Sequence, residues 1–370
     1  MLNFLSLKLD AFGLDINDSS VKIIKLGKEK EGFSVSSFNR IDIKPGVVET
    51  GIIKDEKTLV KIIKSAYEKV KGKRIKTKYV VASLPEEESF LQVIQMPKMS
   101  LEELRSAIIF EAENYIPLPI DQVYLDFNAI IPVKDSLDHI DVLVVATPRH
   151  VVDSYVSCIK SAGFIPLILE MESQSIIRAL VKNEMSECPL VVIDLGENKA
   201  DFIVFAGRSI RFTYSIPISQ KQLDSALSQL LKVDLDKAEK MKIQYGIKSD
   251  KGKVGAGAKK VLQAATPVLE ELVSQIKKYI NFYEEHASHE HLFCGSGIKK
   301  IILCGGGANL KGLPEFLAKR LSIQVEIGDP FMNLPRVKKD KAGFIDFLPF
   351  TTALGLAAKG INIKKENIDD

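Results

Sequence analysis

The feature that most constrains this chain is a pattern that occurs twice. Near the start, Phe12-Gly13-Leu14-Asp15-Ile16 runs through a polar turn, Asn17 to Ser20, into Val21-Lys22-Ile23-Ile24-Lys25-Leu26. Near the middle, Leu190-Val191-Val192-Ile193-Asp194-Leu195-Gly196 runs through another polar turn into Asp201-Phe202-Ile203-Val204-Phe205. Both flanks are rich in β-branched residues, so each stretch reads as a hairpin with an acid at its tip. A hairpin repeated half a chain apart predicts two lobes with the same core, facing each other over a cleft, each offering one acidic turn. The length agrees, because 370 residues exceed what one hydrophobic core normally supports.

Between the hairpins the pattern predicts a third strand over Phe33 to Ile43, a helix over Asp55 to Val70 and a buried strand at Tyr79 to Ala82. The helix is marked by Leu59, Ile62, Ile63, Ala66 and Val70 at helical spacing. Phe90 to Gly163 reads strand, helix, strand, strand, helix, with Ser100 and Glu103 as a capping box, and forms a small α+β insertion. Phe164 to Met171 and a helix over Glu172 to Val181 resume the first pattern, and Pro189 marks a boundary. Helices follow over Ser219 to Leu231, Leu235 to Tyr245 and Val261 to His286, then a strand ending at Cys304, a glycine triplet and a helix over Pro314 to Leu321. The expected division is residues 1–89 and 164–188 as the first lobe, 90–163 as the insert and 189–330 as the second lobe. Within the second lobe 216–294 are helical, and 331–370 return to the first.

Composition narrows the class. Hydrophobic residues make up 46% and charged residues 27%, the balance of a soluble globular protein. The net charge of +3 is spread along the chain and gives no case for a nucleic-acid partner. Cys158, Cys188, Cys294 and Cys304 follow no CxxC spacing, so free thiols in a reducing compartment are expected, with neither disulfide nor zinc site. Met1 to Asp10 lacks a basic stretch and a cleavage site, so it makes a poor signal peptide. No apolar run approaches the roughly 20 residues of a spanning helix.

Leu303 to Leu313, LCGGGANLKGL, is a strand delivering a glycine-rich turn into a helix. Backbone N–H groups can approach a ligand closely there, although a tight connection explains a glycine triplet as well. An Asp at each hairpin tip can hold Mg²⁺ through waters while turn amides bind phosphate, although either Asp alone suits an Asx turn. His286, His289, His291 and Cys294 match no metal-site spacing and read as a solvated helix end. Gly252 to Lys259 imitates a P-loop without its Gly-Lys-Ser/Thr and reads as a mobile loop. Lys71 to Lys78, KGKRIKTK, is a basic turn, read as a solvated face with anionic lipid head groups as a lesser alternative.

Two acid-tipped hairpins and a late Gly-Gly-Gly turn, in this order, resemble the actin, heat-shock chaperone and sugar-kinase superfamily. Glu102 to Val123, EELRSAIIFEAENYIPLPIDQV, is similar to the signature of the type IV pilus assembly PilM family, as are Phe12 to Leu26 and Ala353-Leu354-Gly355-Leu356-Ala357. The resemblance covers nearly the whole chain. It implies an α/β, actin-like ATPase fold of duplicated ribonuclease H-like lobes with the insert in the first lobe, as in the division actin FtsA. It implies ATP and Mg²⁺ as cofactors, with Asp15, Asn17 and Ser19 on the first phosphate hairpin and Asp194, Gly196 and Lys199 on the second. Gly305, Gly306 and Gly307 become the adenosine loop, Asp15 and Asp194 the metal side. Glu172 falls where such ATPases orient the attacking water, although an acid at a helix N-terminus is favoured by the macrodipole anyway.

The resemblance further implies a cytoplasmic protein, peripheral at the inner membrane, with room for self-association and a part in pilus assembly and twitching motility. Its partner is the N-terminal cytoplasmic tail of a PilN-like bitopic protein, docked near Tyr115 and Ile116, so that membrane contact is indirect. Departures are expected to weaken hydrolysis more than binding. Asn17 replaces the usual Gly, Asn198-Lys199-Ala200 the usual hydroxyl residues, and Ser219-Gln220 a Gly-Gly pair. Other readings are a small-molecule kinase on the same fold, for which no Asp base motif is found, or an FtsA-like division protein. The latter ends in a basic amphipathic helix, whereas Lys359 to Asp370 is polar and acid-capped.

Overall fold

Alternation along the first hairpin fixes its place in the sheet. In a computed structural model, which describes residues 8–30, 32–130, 138–248, 255–286, 294–295, 297–334, 344–361 and 363–364, β1 (Phe12–Ile16) turns Phe12, Leu14 and Ile16 into one apolar cluster. Val21 and Ile23 of β2 (Ser20–Glu29) join it, and β3 (Gly32–Asp42) extends the antiparallel meander. The helix α1 (Glu56–Glu68) starts at Asp55, whose carboxylate accepts from the Thr58 amide, and it covers the cluster with Leu59, Ile63 and Ala66. The two-residue β4 (Lys71–Gly72) pairs with β3, and β5 (Tyr79–Leu84) runs parallel to β1.

Next come β6 (Phe90–Pro97), α2 (Leu101–Ala112), β7 (Val123–Ile130) and β8 (His139–Pro148). They form a separate antiparallel sheet, ordered β7-β8-β6, with its own core of Ile94, Leu104, Ile108, Val142 and Val144. The capping box of Ser100 and Glu103 starts α2. In α3 (Arg149–Ser161), Val151, Tyr155 and Ile159 pack into the cluster of the first sheet. Then β9 (Ile165–Met171) completes that sheet as β4-β3-β2-β1-β5-β9, and α4 (Glu172–Leu180) follows.

The second half repeats this plan. It contains β10 (Ser186–Leu195), β11 (Ala200–Gly207), β12 (Ser209–Ile216), α5 (Gln220–Leu231), α6 (Leu235–Tyr245), α7 (Ala256–His286), β13 (Lys300–Cys304), α8 (Leu313–Leu321) and β14 (Gln324–Ile327). Its sheet is ordered β12-β11-β10-β13-β14. In both sheets a three-stranded meander is extended from its first strand by two parallel strands, β3-β2-β1-β5-β9 and β12-β11-β10-β13-β14. The described residues up to Glu184 and from Pro330 onward form one compact unit, and Met185–Asp329 form the other. Finally α9 (Thr351–Lys359) packs in the first unit. A Cβ on Gly355 would collide with Ser175 O of α4, and one on Gly13 with Ala353 O, so α9 meets both elements backbone to backbone.

Two expectations are corrected. The long helix begins at Ala256, five residues before Val261. Gly257 reads as loop in sequence, but here its bare Cα faces the Tyr245 ring, where an added Cβ would lie 2.8 Å from Cε1. Second, Cys188 and Cys294 form a disulfide with a Cα separation of 5.1 Å, leaving Cys158 and Cys304 as buried thiols. Parallel pairing of β10 with β13, Leu190 opposite Lys300, brings the lead-in segments of both strands together across 106 residues. Residues 1–7, Gly252 to Val254, His289, His291 and 365–370 lie outside the described residues. Among the described residues no helix is long and apolar enough to cross a membrane.

Candidate functional site

The two acid-tipped hairpins differ in what surrounds the acid. In the first unit Asp15 is 1% exposed, and the register places it opposite Lys22. The Lys22 ammonium donates to Asp15 Oδ2 at 2.8 Å, and Ser83 Oγ donates to Oδ1 at 3.3 Å. Beyond it, Asn17 Oδ1 accepts from the amides of Ser19 and Ser20 at 3.1 and 2.9 Å, and from the Ser19 hydroxyl at 3.0 Å. An Asx turn of this kind takes up amides that a phosphate would otherwise use. Asp18, which no sequence motif singles out, ties the tip down by accepting from the amides of Thr50 and Gly51.

In the second unit Asp194 lies opposite Cys304 on β13 and Asp201 on β11. Burial pushes the Cys304 thiol well above its ordinary range, and the charge and hydrogen bond of Asp194 push it further, so it stays protonated. Lys199 pairs with Asp201 at 3.1 Å. The tip of this hairpin is also closed on itself. Gly196 donates to Lys199 O, the Gln220 amide to Gly196 O at 3.3 Å, the Lys221 amide to Glu197 O at 3.2 Å, and the Gln222 amide to Ser219 Oγ at 3.3 Å. The first turn of α5, a natural anion site, is thereby satisfied internally.

The glycine triplet sits against this hairpin. Gly305 has φ +77°, and its Cα packs on Asp194 and Leu195, while Gly307 packs on Gln220 and Leu195. Gly306 is exposed, and a Cβ added there would meet nothing within 4 Å. Asp194, Gly196 and Gly305 to Gly307 are thus brought to one end of one sheet, with Gly306 as its exposed point. A directly coordinated Mg²⁺ does not fit: Asp15 is balanced by Lys22, and among the described residues no three His, Cys, Asp or Glu side chains are arranged around one point.

Glu172 is the first residue of α4 and is buried. The adjoining Ser173 donates its amide and hydroxyl to Glu86, 5% exposed, at 3.2 and 3.0 Å, so a carboxylate from the loop after β5 caps this helix. Sequence reasoning misses Glu86 because nothing local links it to a helix 87 residues away. Nearby, Tyr155 donates to Gly51 O at 2.9 Å. Its hydroxyl is pushed well above its ordinary range by burial and then by the charges of Glu172, Asp18, Glu87 and Asp15.

The insert carries a second candidate region. After α2, residues Glu113, Ile116, Leu118, Ile120 and Asp121, with Arg149 of α3, line an open concavity of about 750 Å³. The structure separates the two expected docking residues. Tyr115 is 44% exposed, whereas Ile116 is 6% exposed and belongs to the insert's own core. Arg149 donates to Asp121 O at 2.8 Å and lies over the Tyr124 ring, fixing the rim.

Two sheets of the same strand order, each with an acid at the end of its first strand, define an actin-like ATPase fold. Spiroplasma citri MreB 5 bound to AMPPNP superposes with a TM-score of 0.56 at 12% identity, covering 98% of this chain and 97% of that one. A PilM-PilN type IV pilus biogenesis complex superposes with a TM-score of 0.76 at 24% identity, covering 96% of this chain and 100% of that one. The family model for type IV pilus assembly protein PilM matches residues 13–361, and the chain belongs to that family. Cell division protein FtsA of Neisseria meningitidis is 26% identical over 216 residues, covering 54% of this chain and 49% of that protein. FtsA of Escherichia coli K12 is 25% identical over 202 residues, covering 49% and 46%. The chain thus spans about half the length of the curated relatives it matches.

Proposed function

We propose that this protein is a nucleotide-responsive docking component of type IV pilus assembly, peripheral at the cytoplasmic side of the inner membrane. Its partner is the N-terminal cytoplasmic tail of a PilN-like bitopic protein, taken on the insert near its concavity and the exposed Tyr115. Family membership and the likeness to a solved PilM-PilN complex support the partner. We extend the reading to the domain plan, with 1–89, 164–188 and 331–370 as the first lobe, 90–163 as the insert and 189–330 as the second lobe. ATP is held through its adenosine at Gly305 to Gly307, and its occupancy gates affinity for the tail.

One observation carries the distinction between binding and turnover. At both hairpins the amides that would cradle phosphates already donate within the protein, to Asn17 Oδ1 in one and to Gly196 O, Glu197 O and Ser219 Oγ in the other. Phosphoryl transfer needs such donors preset against the developing charge, and each one lost costs about 3 kcal/mol, on the order of a hundredfold in rate. The expected result is saturable ATP binding by calorimetry with barely measurable phosphate release from the same sample, and a nearly silent Glu172→Ala. Brisk turnover abolished by Glu172→Ala would sink this reading. For the partner, Tyr115→Asp is expected to weaken a PilN-tail peptide in a folded protein; an unchanged affinity would remove the docking site. Ile116 is unsuitable for that test because it packs the insert core.

A further inference from the structure

Five of the eight residues from Lys71 to Lys78 are cations. A loose basic loop would mean little, since charged side chains ordinarily face water. This one is fastened. Lys71 and Gly72 pair with Phe38 and Ser37 of β3, and Gly72, at φ +97°, has no room for a Cβ beside Ser36 O. The Lys73 amide donates to Ser36 O at 2.8 Å, and Ser37 Oγ donates to Lys73 O. Tyr67 Oη reaches Ile75 O and Thr77 O at 2.9 and 3.0 Å, and Ile75 is buried.

Fastening sorts the cations. Lys71 lies over the Phe38 ring, and Lys78 over the rings of Tyr67 and Phe164. Lys73, Arg74 and Lys76 instead line a cavity of about 430 Å³, joined by Lys25 and Lys28 of β2. The acids on its wall are Asp10 and Glu29, so five cations face two acids. Asp10 is taken by Lys25 at 2.5 Å, and Glu29 accepts from the Ser34 hydroxyl. With Lys25 and Asp10 paired, Lys28, Lys73, Arg74 and Lys76 face the single charge of Glu29, a net excess of three positive charges in one concavity above the apolar Leu9, Leu26 and Ile75. Convergent cations on a rigid turn are what a multiply negative, compact ligand requires; the planar guanidinium of Arg74 suits phosphate oxygens in particular.

We propose that this cavity binds a phosphate anion, carried by an anionic phospholipid headgroup or free in solution. It lies in the first unit alone and is independent of the nucleotide and peptide readings. The lipid source would give the chain its own contact with the bilayer surface.

The test uses the full chain in flotation with vesicles of equimolar phosphatidylcholine and phosphatidylglycerol, against phosphatidylcholine alone, and titration with inorganic phosphate by calorimetry. Each cation near an anionic surface contributes about fivefold to partition, so the pair Arg74→Gln and Lys76→Gln is expected to lower it about 25-fold. Both side chains are exposed, so the fold tolerates the change. The charge-matched pair Lys237→Gln and Lys240→Gln on α6, also exposed, is expected to leave partition unchanged. Vesicle binding without phosphate heat assigns the lipid source; phosphate binding that competes with vesicles assigns the anion itself. The proposal fails if neither probe binds, or if both pairs lose binding equally.

Discussion

Asp15 and Asp194 hold equivalent positions in the two units, and their neighbours differ across the hairpin. Each faces a small hydrogen-bonding side chain on the adjacent parallel strand, Ser83 in one unit and Cys304 in the other. Across the hairpin Asp15 meets Lys22, but Asp194 meets Asp201, whose charge is answered by Lys199. Removing one partner of a buried pair leaves an uncompensated charge, so Lys22→Ala is expected to destabilise the protein by about 3 kcal/mol, read by urea unfolding. A loss below about 1 kcal/mol, the scale of a solvated pair, would mean that water reaches Asp15. Cys158 supplies a pH test. Burial, with Glu56 adding to it, pushes its thiol from 9.0 up to about 12. A raised folded value means the folded state holds the proton more tightly, so this contribution is complete below about pH 9 and is lost as pH rises towards 12. Unfolding midpoints measured across that window should fall more steeply for the native chain than for Cys158→Val; parallel curves would remove the thiol from the account.

At the scale of elements, the tightest approach is between α4, α9 and β1, where Gly355 and Gly13 let backbones touch. Gly355→Ala inserts a methyl against Ser175 O, and overpacking of this kind costs about 1–3 kcal/mol. Thermal unfolding checks it, and a stabilised variant, as helix propensity alone would give, would show that α9 can shift. Gly355 is visible in sequence only as part of a family-like tail. Alternation in β1, the Ser100–Glu103 box and the helical spacing of α1 are legible because they depend on neighbours a few residues apart, and the glycine triplet carries its own signal. What stays hidden depends on distant pairing. Glu86 capping α4, Asp18 holding Thr50 and Gly51, and the amides of α5 folding back on Gly196 emerge only once strands are in register. Lys22 is the intermediate case, since a short hairpin turn already puts it opposite Asp15. Gly257 misleads because glycine in sequence signals a loop, whereas in the fold it makes space for Tyr245.

On the scale of the whole molecule, the duplicated sheet order is reinforced in one unit only, by the Cys188–Cys294 disulfide. Closing a loop of 106 residues restricts the unfolded chain, an effect typically about 2–4 kcal/mol. Reductant, or Cys188→Ser with Cys294→Ser, is therefore expected to lower the unfolding midpoint of Met185–Asp329; identical midpoints with and without reductant would show that the bridge adds nothing. The self-satisfied hairpins have a different consequence. On the proposed reading, a triphosphate reaching them must exchange protein hydrogen bonds for its own, so its terminal phosphate would add little net attraction, while an adenosine held at Gly306 would be common to both nucleotides. Such a protein reports how much adenine nucleotide is present and is nearly blind to its phosphorylation state: ATP and ADP should bind within a few-fold of each other, and the pilus machinery would be told that the cell has a nucleotide pool, not how charged that pool is.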